Sequence, residues 1–232
     1  MRPKIPEPHT LATTIHPEPT LQVAETFYSI QGESSFAGYP CFFIRLAGCN
    51  LRCTWCDSSY SYEEPAKQMT VNRLLDQATA YPNALVEITG GEPLLQDNVY
   101  QLIDGLLAAG RKVLLETNGS ISLARLDPRV VKIMDVKCPD STMHDRMHPD
   151  NFRYLTPDDE VKFVIGSWTD YVWAKEMLDS LSKFSNAQIL FAPVGGRVAG
   201  ADLAAWILED QLDVRLQLQL HRQLWPQKTR GV

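Results

Sequence analysis

The chain has 232 residues, of which 44% are hydrophobic and 22% charged, values typical of a globular protein with one domain or a compact pair. A net charge of −6 without a basic block argues against a protein whose main task is to bind nucleic-acid phosphates. The sequence has neither an apolar run long enough to span a bilayer nor the apolar core of a secretory signal, so we expect a cytoplasmic protein without a membrane span.

Residues 1–20 contain five prolines and little apolar periodicity, which predicts a mobile extension ahead of one domain over 21–232. Runs typical of strands follow at 41–48, 84–89, 112–117, 130–136, 161–165, 188–193 and, with alternating polarity, 213–220. Helical patterns lie between them at 70–80, 97–109, 168–184 and 201–210. Thr70 is a suitable N-cap for the first helix, and Gly110 a suitable C-cap for the second.

Alternating strands and helices indicate the α/β class, with a mostly parallel sheet covered by helices. Six or seven strands are too few for a closed eight-fold barrel, so we predict an open, partial β/α barrel. Active sites of such folds lie at the carboxyl ends of the strands. The polar residues at predicted strand ends are Thr89 to Glu92, Glu116 to Asn118, Asp135 and Lys137.

Three of the five cysteines, Cys49, Cys53 and Cys56, have the spacing C-x3-C-x2-C. An odd cysteine count without a signal peptide speaks against a disulfide framework. Three thiolates can hold a [4Fe–4S] cluster and leave one iron without a protein ligand. The amino and carboxylate groups of S-adenosylmethionine could chelate that iron.

Structural zinc and a cluster used only for electron transfer are the alternatives. Structural zinc requires four ligands, and the further candidates, Cys41 and Cys138, lie on or beside predicted strands. Trp55, between the last two cysteines, either shields the cluster from water or packs within the loop.

The cysteine spacing, with an aromatic residue before the last cysteine, resembles the radical S-adenosylmethionine superfamily. Gly90–Pro93, GGEP, matches a second motif of that superfamily, whereas alone it would indicate a tight turn. The resemblance implies that Glu92 and nearby backbone groups bind the methionine ammonium.

A closer resemblance begins with ETFYSIQGESSFAGYPCFFIRLAGCN and covers residues 24–232. CDS at 56–58, TGGEP at 89–93, ETNG at 116–119 and QLHRQLW near the end belong to it. These segments resemble the 7-carboxy-7-deazaguanine synthase family. The resemblance implies a carbon–nitrogen lyase that converts 6-carboxy-5,6,7,8-tetrahydropterin to 7-carboxy-7-deazaguanine with loss of ammonia, in the biosynthesis of queuosine and other 7-deazapurines.

Arg45 lies inside an apolar strand, where an unpaired guanidinium would be costly. It therefore binds either the substrate carboxylate, which we favour, or an internal partner. By resemblance, Gln31 and Glu33 recognise the pterin edge, and Gly32 permits close approach. The resemblance implies the substrate-binding set Ile30, Gln31, Gly32, Glu33, Arg45, Thr89, His221 and Val232, with His221 in the last predicted strand.

The resemblance also implies a set of residues that bind S-adenosylmethionine. They are Trp55, Cys56, Asp57, Gly91, Glu92, Glu116, Asp135, Val136, Lys137 and, through their backbone, Phe191, Ala192, Pro193 and Val194. The hydroxyl of Ser58 is the implied Mg²⁺ ligand, since hard cations prefer oxygen. Ser34 replaces a glycine that is common in the family after QGE, so we expect an altered local turn.

The family resemblance further implies an external electron donor such as flavodoxin and a homodimer. Two other functions remain open from the sequence: an activase that forms a glycyl radical on a partner protein, and a non-enzymatic iron–sulfur binding module. An activase should lack Arg45 in this context and the QGE loop, and a binding module should hold a cluster that ignores S-adenosylmethionine.

Overall fold

The computed structural model describes residues 17–232, so most of the predicted extension lies outside the described residues. The strands are β1 (Thr20–Ile30), β2 (Pro40–Leu46), β3 (Lys67–Thr70), β4 (Leu85–Gly90), β5 (Val113–Thr117), β6 (Val131–Val136), β7 (Glu160–Ile165), β8 (Gln188–Pro193) and β9 (Arg215–Leu216). The helices are α1 (Tyr60–Glu63), α2 (Val71–Thr79), α3 (Val99–Ala108), α4 (Trp168–Leu181), α5 (Gly200–Glu209) and α6 (Leu220–Leu224). None of these helices combines the length and apolarity that a membrane crossing requires.

The strands form a single sheet in the order β3-β1-β2-β4-β5-β6-β7-β8-β9. Every pair from β2 to β9 in this order is parallel. The sheet does not close, because β3 and β9 stand at opposite edges of it. This confirms the predicted open, mostly parallel α/β barrel.

Two strands were not predicted, and one predicted strand was too long. β1 pairs antiparallel with β2 and with β3, and its first residue, Thr20, lies opposite Thr70. The predicted strand 213–220 is reduced to Arg215–Leu216. It ends early because the chain turns into α6, where Leu220 N donates to Gly32 O of the QGE loop at 2.8 Å.

The helix-end signals in the sequence are confirmed. Thr70 caps α2, where its Oγ1 accepts from Arg73 N at 3.2 Å. Gly110 follows α3 with φ +71°, the left-handed conformation that glycine adopts without strain.

Side chains alternate between the outward and inward faces of the strands, and the two faces have different environments. Outward residues such as Ile88, Leu115 and Phe163 pack in the main core with the helices. Inward residues near the amino ends of the strands, Leu114 and Ile133 among them, form a small second apolar cluster. Further along the same strands the inward positions become charged. The period of two therefore places polar side chains at the carboxyl ends, inside the barrel.

Candidate functional site

The three clustered cysteines lie in the irregular loop between β2 and α1. Cys49, Cys53 and Cys56 all line one cleft of about 460 Å³ at the carboxyl ends of the strands. The other two cysteines, Cys41 and Cys138, are buried in the protein and do not line it. The loop therefore offers three thiols to one space and no fourth.

These thiols suit a cluster better than a single ion. Within residues 17–232, there is no group of three or more His, Cys, Asp or Glu side chains close enough together to hold one metal ion. A cubane takes each thiolate on a different iron, so its ligands stand further apart than those of zinc. The donor set therefore fits a [4Fe–4S] cluster held by Cys49, Cys53 and Cys56.

The two glycines of GGEP let the chain pass close to the cysteine loop. A Cβ on Gly90 would lie 2.3 Å from Leu46 O, and one on Gly91 would lie 2.1 Å from Gly48 O. Any side chain here would displace the loop that begins at Cys49. Gly91 also lines the cleft, as expected for a cofactor contact.

Glu92 requires a correction, because its side chain is fully buried and does not line the cleft. Its carboxylate accepts from Asn118 N at 2.7 Å, Leu94 N at 3.0 Å and Thr117 Oγ1 at 2.9 Å. These bonds fasten the ends of β4 and β5 together. The carboxylate is thus a structural acceptor, and it does not face a methionine ammonium.

Four ionisable side chains meet at the floor of the cleft. Lys162 Nζ lies 2.9 Å from Glu33 Oε2 and also donates to Glu116 Oε1. Glu87 is 3% exposed and accepts from Gln31 Nε2. The QGE loop is thereby joined to the inner face of β4, β5 and β7.

The floor carries both ionised and neutral groups. Burial opposes the charge on Lys162, but Glu116 and Glu33 outweigh it and raise the pKa of Lys162 well above its usual value. Burial also opposes ionisation of Glu33, yet Lys162 and hydrogen bonds lower the pKa of Glu33 to about 2. Burial, with the charges of Glu116 and Glu33, raises the pKa of Glu87 well above 4.5. Burial thus favours the protonated form of Glu87, which can donate a hydrogen bond.

Arg45 occupies an inner position of β2 next to Thr89 of β4. Its Nε donates at 3.0 Å to Glu25 Oε1, which also accepts from the Tyr60 hydroxyl at 2.6 Å. The structure thus contains the internal partner kept as the alternative for Arg45. A guanidinium has five N–H donors, and within residues 17–232 only that of Nε has a hydrogen-bond partner. Its other donors remain able to bind a carboxylate.

Thr89 and Glu116 both line the cleft, and Thr89 Oγ1 donates to Glu116 Oε2 at 3.0 Å. Asp135 and Lys137 line it as well and form an ion pair of 2.6 Å. The second oxygen of Asp135, Oδ1, is buried and has no hydrogen-bond partner within residues 17–232. It is an acceptor without a donor in the part of the chain that the structure describes.

The side chains of the predicted cofactor contacts alternate in direction along their strands. Ala192 and Pro193 line the cleft, but the side chains of Val136 and Phe191 point outward into the main core. Val194 is buried and also absent from the lining. The prediction for residues 191–194 concerns their backbone, which the direction of these side chains does not contradict.

His221 belongs to α6 and not to a strand. Its side chain lines the cleft. A Cβ on Gly32 would lie 2.2 Å from His221 Nδ1, so this glycine is needed for the contact. Leu220 N donates to Gly32 O at 2.8 Å, and Gln219 Nε2 to Glu33 Oε1 at 2.8 Å. The QGE loop and the start of α6 therefore form one wall.

The remaining predicted site residues lie at the mouth of the cleft. Ser58, Asp57, Trp55, Ile30 and Val232 all line it. The guanidinium of Arg197 lies over the ring of Trp55, with 4.9 Å from Cζ to the ring centroid.

Ser34, which replaces the family glycine, lies just beyond the QGE motif. It has φ +62°, so it keeps the left-handed conformation that a glycine would adopt there.

Sequence reasoning missed Glu87, Lys162, Glu25 and Gln219. Glu87 and Lys162 stand inside apolar strands, in LVEIT and VKFVI. The same signal drew attention to Arg45, so both could have been found. Glu25 and Gln219 had no comparable signal, because they act through partners that are distant in sequence.

Comparisons with known proteins identify the family of this chain. The model of the Radical SAM superfamily matches residues 43–184. The 7-carboxy-7-deazaguanine synthase of Chlorobaculum tepidum is 43% identical, over 93% of this chain and 99% of its own length. That of Koribacter versatilis is also 43% identical, over 91% of this chain and all of its own length.

Solved structures share the fold. QueE from Escherichia coli has a TM-score of 0.73 at 24% identity, and the match covers 87% of this chain and 95% of that one. Streptococcus suis SuiB bound to S-adenosylmethionine has a TM-score of 0.53 at 15% identity, over 73% of this chain and 48% of that one. With the superfamily match and relatives 43% identical over almost their whole length, the chain belongs to the 7-carboxy-7-deazaguanine synthase family of radical SAM proteins.

Proposed function

We propose that the chain is a radical S-adenosylmethionine lyase that converts 6-carboxy-5,6,7,8-tetrahydropterin to 7-carboxy-7-deazaguanine and releases ammonia. The observation that carries this proposal is the meeting of the QGE loop, Arg45 and His221 in the same cleft as the three cysteines. Family membership supports it, because the relatives are named 7-carboxy-7-deazaguanine synthase. A glycyl-radical activase is expected to lack both Arg45 in this context and the QGE loop, and this chain contains both.

The residues of the cleft match the two ends of such a substrate. The free donors of Arg45 suit a carboxylate, which a planar guanidinium binds with two parallel hydrogen bonds. The carboxylate of Glu33 can accept hydrogen bonds, and the raised pKa of Glu87 favours its protonated form, which can donate one. Together they suit the pyrimidine edge, which both donates and accepts. The pterin would thus lie between β2 and the QGE loop.

Cys49, Cys53 and Cys56 would hold the cluster. Together the cluster and S-adenosylmethionine would supply radical chemistry, with one electron taken from an external donor. Asp135 Oδ1 is the acceptor we assign to a ribose hydroxyl, and Lys137 the partner of the methionine carboxylate.

Several finer features rest on the family resemblance alone. We propose Mg²⁺ on Ser58, whose hydroxyl lines the cleft beside Cys56 at 3.8 Å from its sulfur. An external electron donor such as flavodoxin, a homodimer and a cytoplasmic location are carried over in the same way. Assays with and without Mg²⁺ test the first of these.

Anaerobic turnover of the reconstituted protein with the pterin tests the proposed function. We expect 7-carboxy-7-deazaguanine and ammonia in equal amounts. Arg45→Met should raise KM for the pterin roughly 10- to 100-fold, because a hydrogen bond between charged groups is lost. Arg111→Met is the control, since Arg111 bonds to the carbonyls of Ala78, Tyr81 and Ala84 away from the cleft. An intact cluster that cleaves S-adenosylmethionine but leaves the pterin unchanged would contradict the substrate assignment.

A further inference from the structure

Residues 226–232 run along the mouth of the cleft after α6. Six of these seven residues line it: Pro226, Lys228, Thr229, Arg230, Gly231 and Val232. Yet among the backbone hydrogen bonds of residues 17–232, only the bond from Lys228 N to Trp225 O involves this segment. Side chains must therefore hold residues 226–232 in place.

Arg230 makes the polar side-chain contact that holds this segment. Its guanidinium pairs with both oxygens of Glu64, with 2.9 Å from Nη1 to Oε2 and a second bond from Nη2 to Oε1. The same guanidinium lies over the Tyr60 ring, with 4.0 Å from Cζ to the centroid. Hydrogen bonding by Arg230 lowers the pKa of Glu64, so this carboxylate stays ionised. The pair combines bidentate geometry with stacking.

Tyr60 extends the contact into the cleft. Its hydroxyl donates to Glu25 Oε1 at 2.6 Å, and the same oxygen accepts from Arg45 Nε at 3.0 Å. The centroid of the Tyr60 ring also lies 5.9 Å from Arg45 Cζ, so this ring contacts the guanidinium groups of both Arg230 and Arg45. A continuous series of contacts thus joins Arg230 to Arg45.

We propose that Arg230 is a positioning residue that fastens residues 226–232 over the cleft through Glu64 and Tyr60. Through Tyr60 and Glu25 it also fixes the orientation of Arg45. This inference rests on the proposed function only where it concerns Arg45 and the pterin. The contact of Arg230 with Glu64 and Tyr60 exists without substrate, so the proposed fastening of residues 226–232 does not depend on the proposed function. Because Arg230 and Glu64 are about half exposed, their pair adds little to global stability, and its effect is local order.

Hydrogen–deuterium exchange of the reconstituted protein tests the fastening without substrate. Arg230→Met and Glu64→Gln should each speed exchange at residues 226–232 and leave the core strands unchanged. Arg125→Met is the matched control, because Arg125 also pairs with a carboxylate, Asp97, and stacks on a tyrosine, Tyr100, at 4.0 Å. It lies outside the cleft lining and should leave this segment as in wild type.

Steady-state kinetics tests the positioning of Arg45. We expect Arg230→Met to raise KM for the pterin roughly 3- to 10-fold, with little change in affinity for S-adenosylmethionine. The double variant Arg230→Met, Glu64→Gln should be no worse than Arg230→Met, since both changes break the same contact. Unchanged exchange in Arg230→Met, or additive effects in the double variant, would overturn the fastening.

Faster exchange with an unchanged KM would overturn the positioning role of Arg230. Failure of the wild-type protein to convert the pterin is a different result. It would contradict the proposed function and leave the exchange measurement to decide on the fastening.

Discussion

Glu87 shows how the environment of one residue determines the chemistry of the cleft. It lies at an inward position of β4, 3% exposed, with the carboxylates of Glu116 and Glu33 nearby. Burial and these charges favour its protonated form, whereas Lys162 keeps Glu33 ionised. Two glutamates of the same floor thus present opposite hydrogen-bonding properties to a ligand.

We expect Glu87→Gln to stabilise the protein increasingly as pH rises. The pKa of Glu87 is raised in the folded state, so its stabilising contribution is complete below the unfolded value of 4.5 and is lost as pH rises through the folded pKa. Glutamine does not titrate and retains an acceptor for Gln31. Urea unfolding at a series of pH values should show the difference from wild type growing above pH 4.5, and a difference independent of pH would contradict the protonated state.

Glu33→Gln should show the opposite behaviour. The pKa of Glu33 is lowered to about 2, so its contribution is complete above the unfolded value of 4.5 and is lost as pH falls towards 2. The variant should therefore be less stable than wild type by a constant amount above pH 4.5. The same unfolding series should show that deficit shrinking in acid, and a deficit that grows in acid would count against the Lys162 pairing.

Gly32 provides a steric test of the wall formed with α6. Its substitution by alanine places a Cβ 2.2 Å from His221 Nδ1, so we expect Gly32→Ala to cost about 1–3 kcal/mol of stability. In a His221→Ala background the obstacle is absent and the same substitution should cost much less. Thermal unfolding of the four proteins measures this, and equal costs in both backgrounds would show that His221 does not contact Gly32.

The residues with motif signals could be predicted from the sequence, and their orientations could not. Spacing alone identified Cys49, Cys53 and Cys56 as a group, and the structure brings all three to one cleft. Glu92 was placed wrongly, because a motif does not reveal whether a side chain turns into the cleft or back under the sheet. Lys162 was missed, although a lysine inside an apolar strand requires a buried partner.

At the scale of elements, the helix α2 depends on its first cap. Thr70 Oγ1 accepts from Arg73 N, one of the amide groups at the start of the helix without a partner inside it. Thr70→Ala should therefore reduce the free energy of unfolding by about 1 kcal/mol. Chemical denaturation measures the loss, and Thr70→Ser, which keeps the hydroxyl, should recover most of it. Equal losses in both variants would assign the effect to strand pairing with Thr20 instead.

The parallel strands were predictable from the sequence, whereas the antiparallel strands β1 and β3 were not. Strands buried on both faces read as short apolar runs, so β2 and β4 to β8 stood out in the sequence. β1 is only partly buried, and its sequence LQVAETFYSI mixes polar and apolar residues without a clear signal. The run at 213–220 alternates as a strand should, but hydrogen bonds to the QGE loop, which are distant in sequence, turn it into α6.

At the scale of the whole molecule, the open sheet gathers charged side chains from distant parts of the chain around one cleft. The floor pairs Lys162 with Glu33 and Glu116. At the mouth, Arg222 pairs with Asp57 and Arg230 with Glu64. The arrangement depends on the whole barrel, since the floor comes from strands and the mouth from the segment after α6.

The central claim is that three cysteines hold a cluster with one iron open to S-adenosylmethionine. Electron paramagnetic resonance of the reduced, anaerobically reconstituted protein tests it most directly. The account predicts that adding S-adenosylmethionine changes the cluster spectrum, and that Cys49→Ala, Cys53→Ala and Cys56→Ala each lose the cluster while Cys138→Ala retains it. A spectrum indifferent to S-adenosylmethionine, or a cluster that survives the loss of any of the three, would contradict the account.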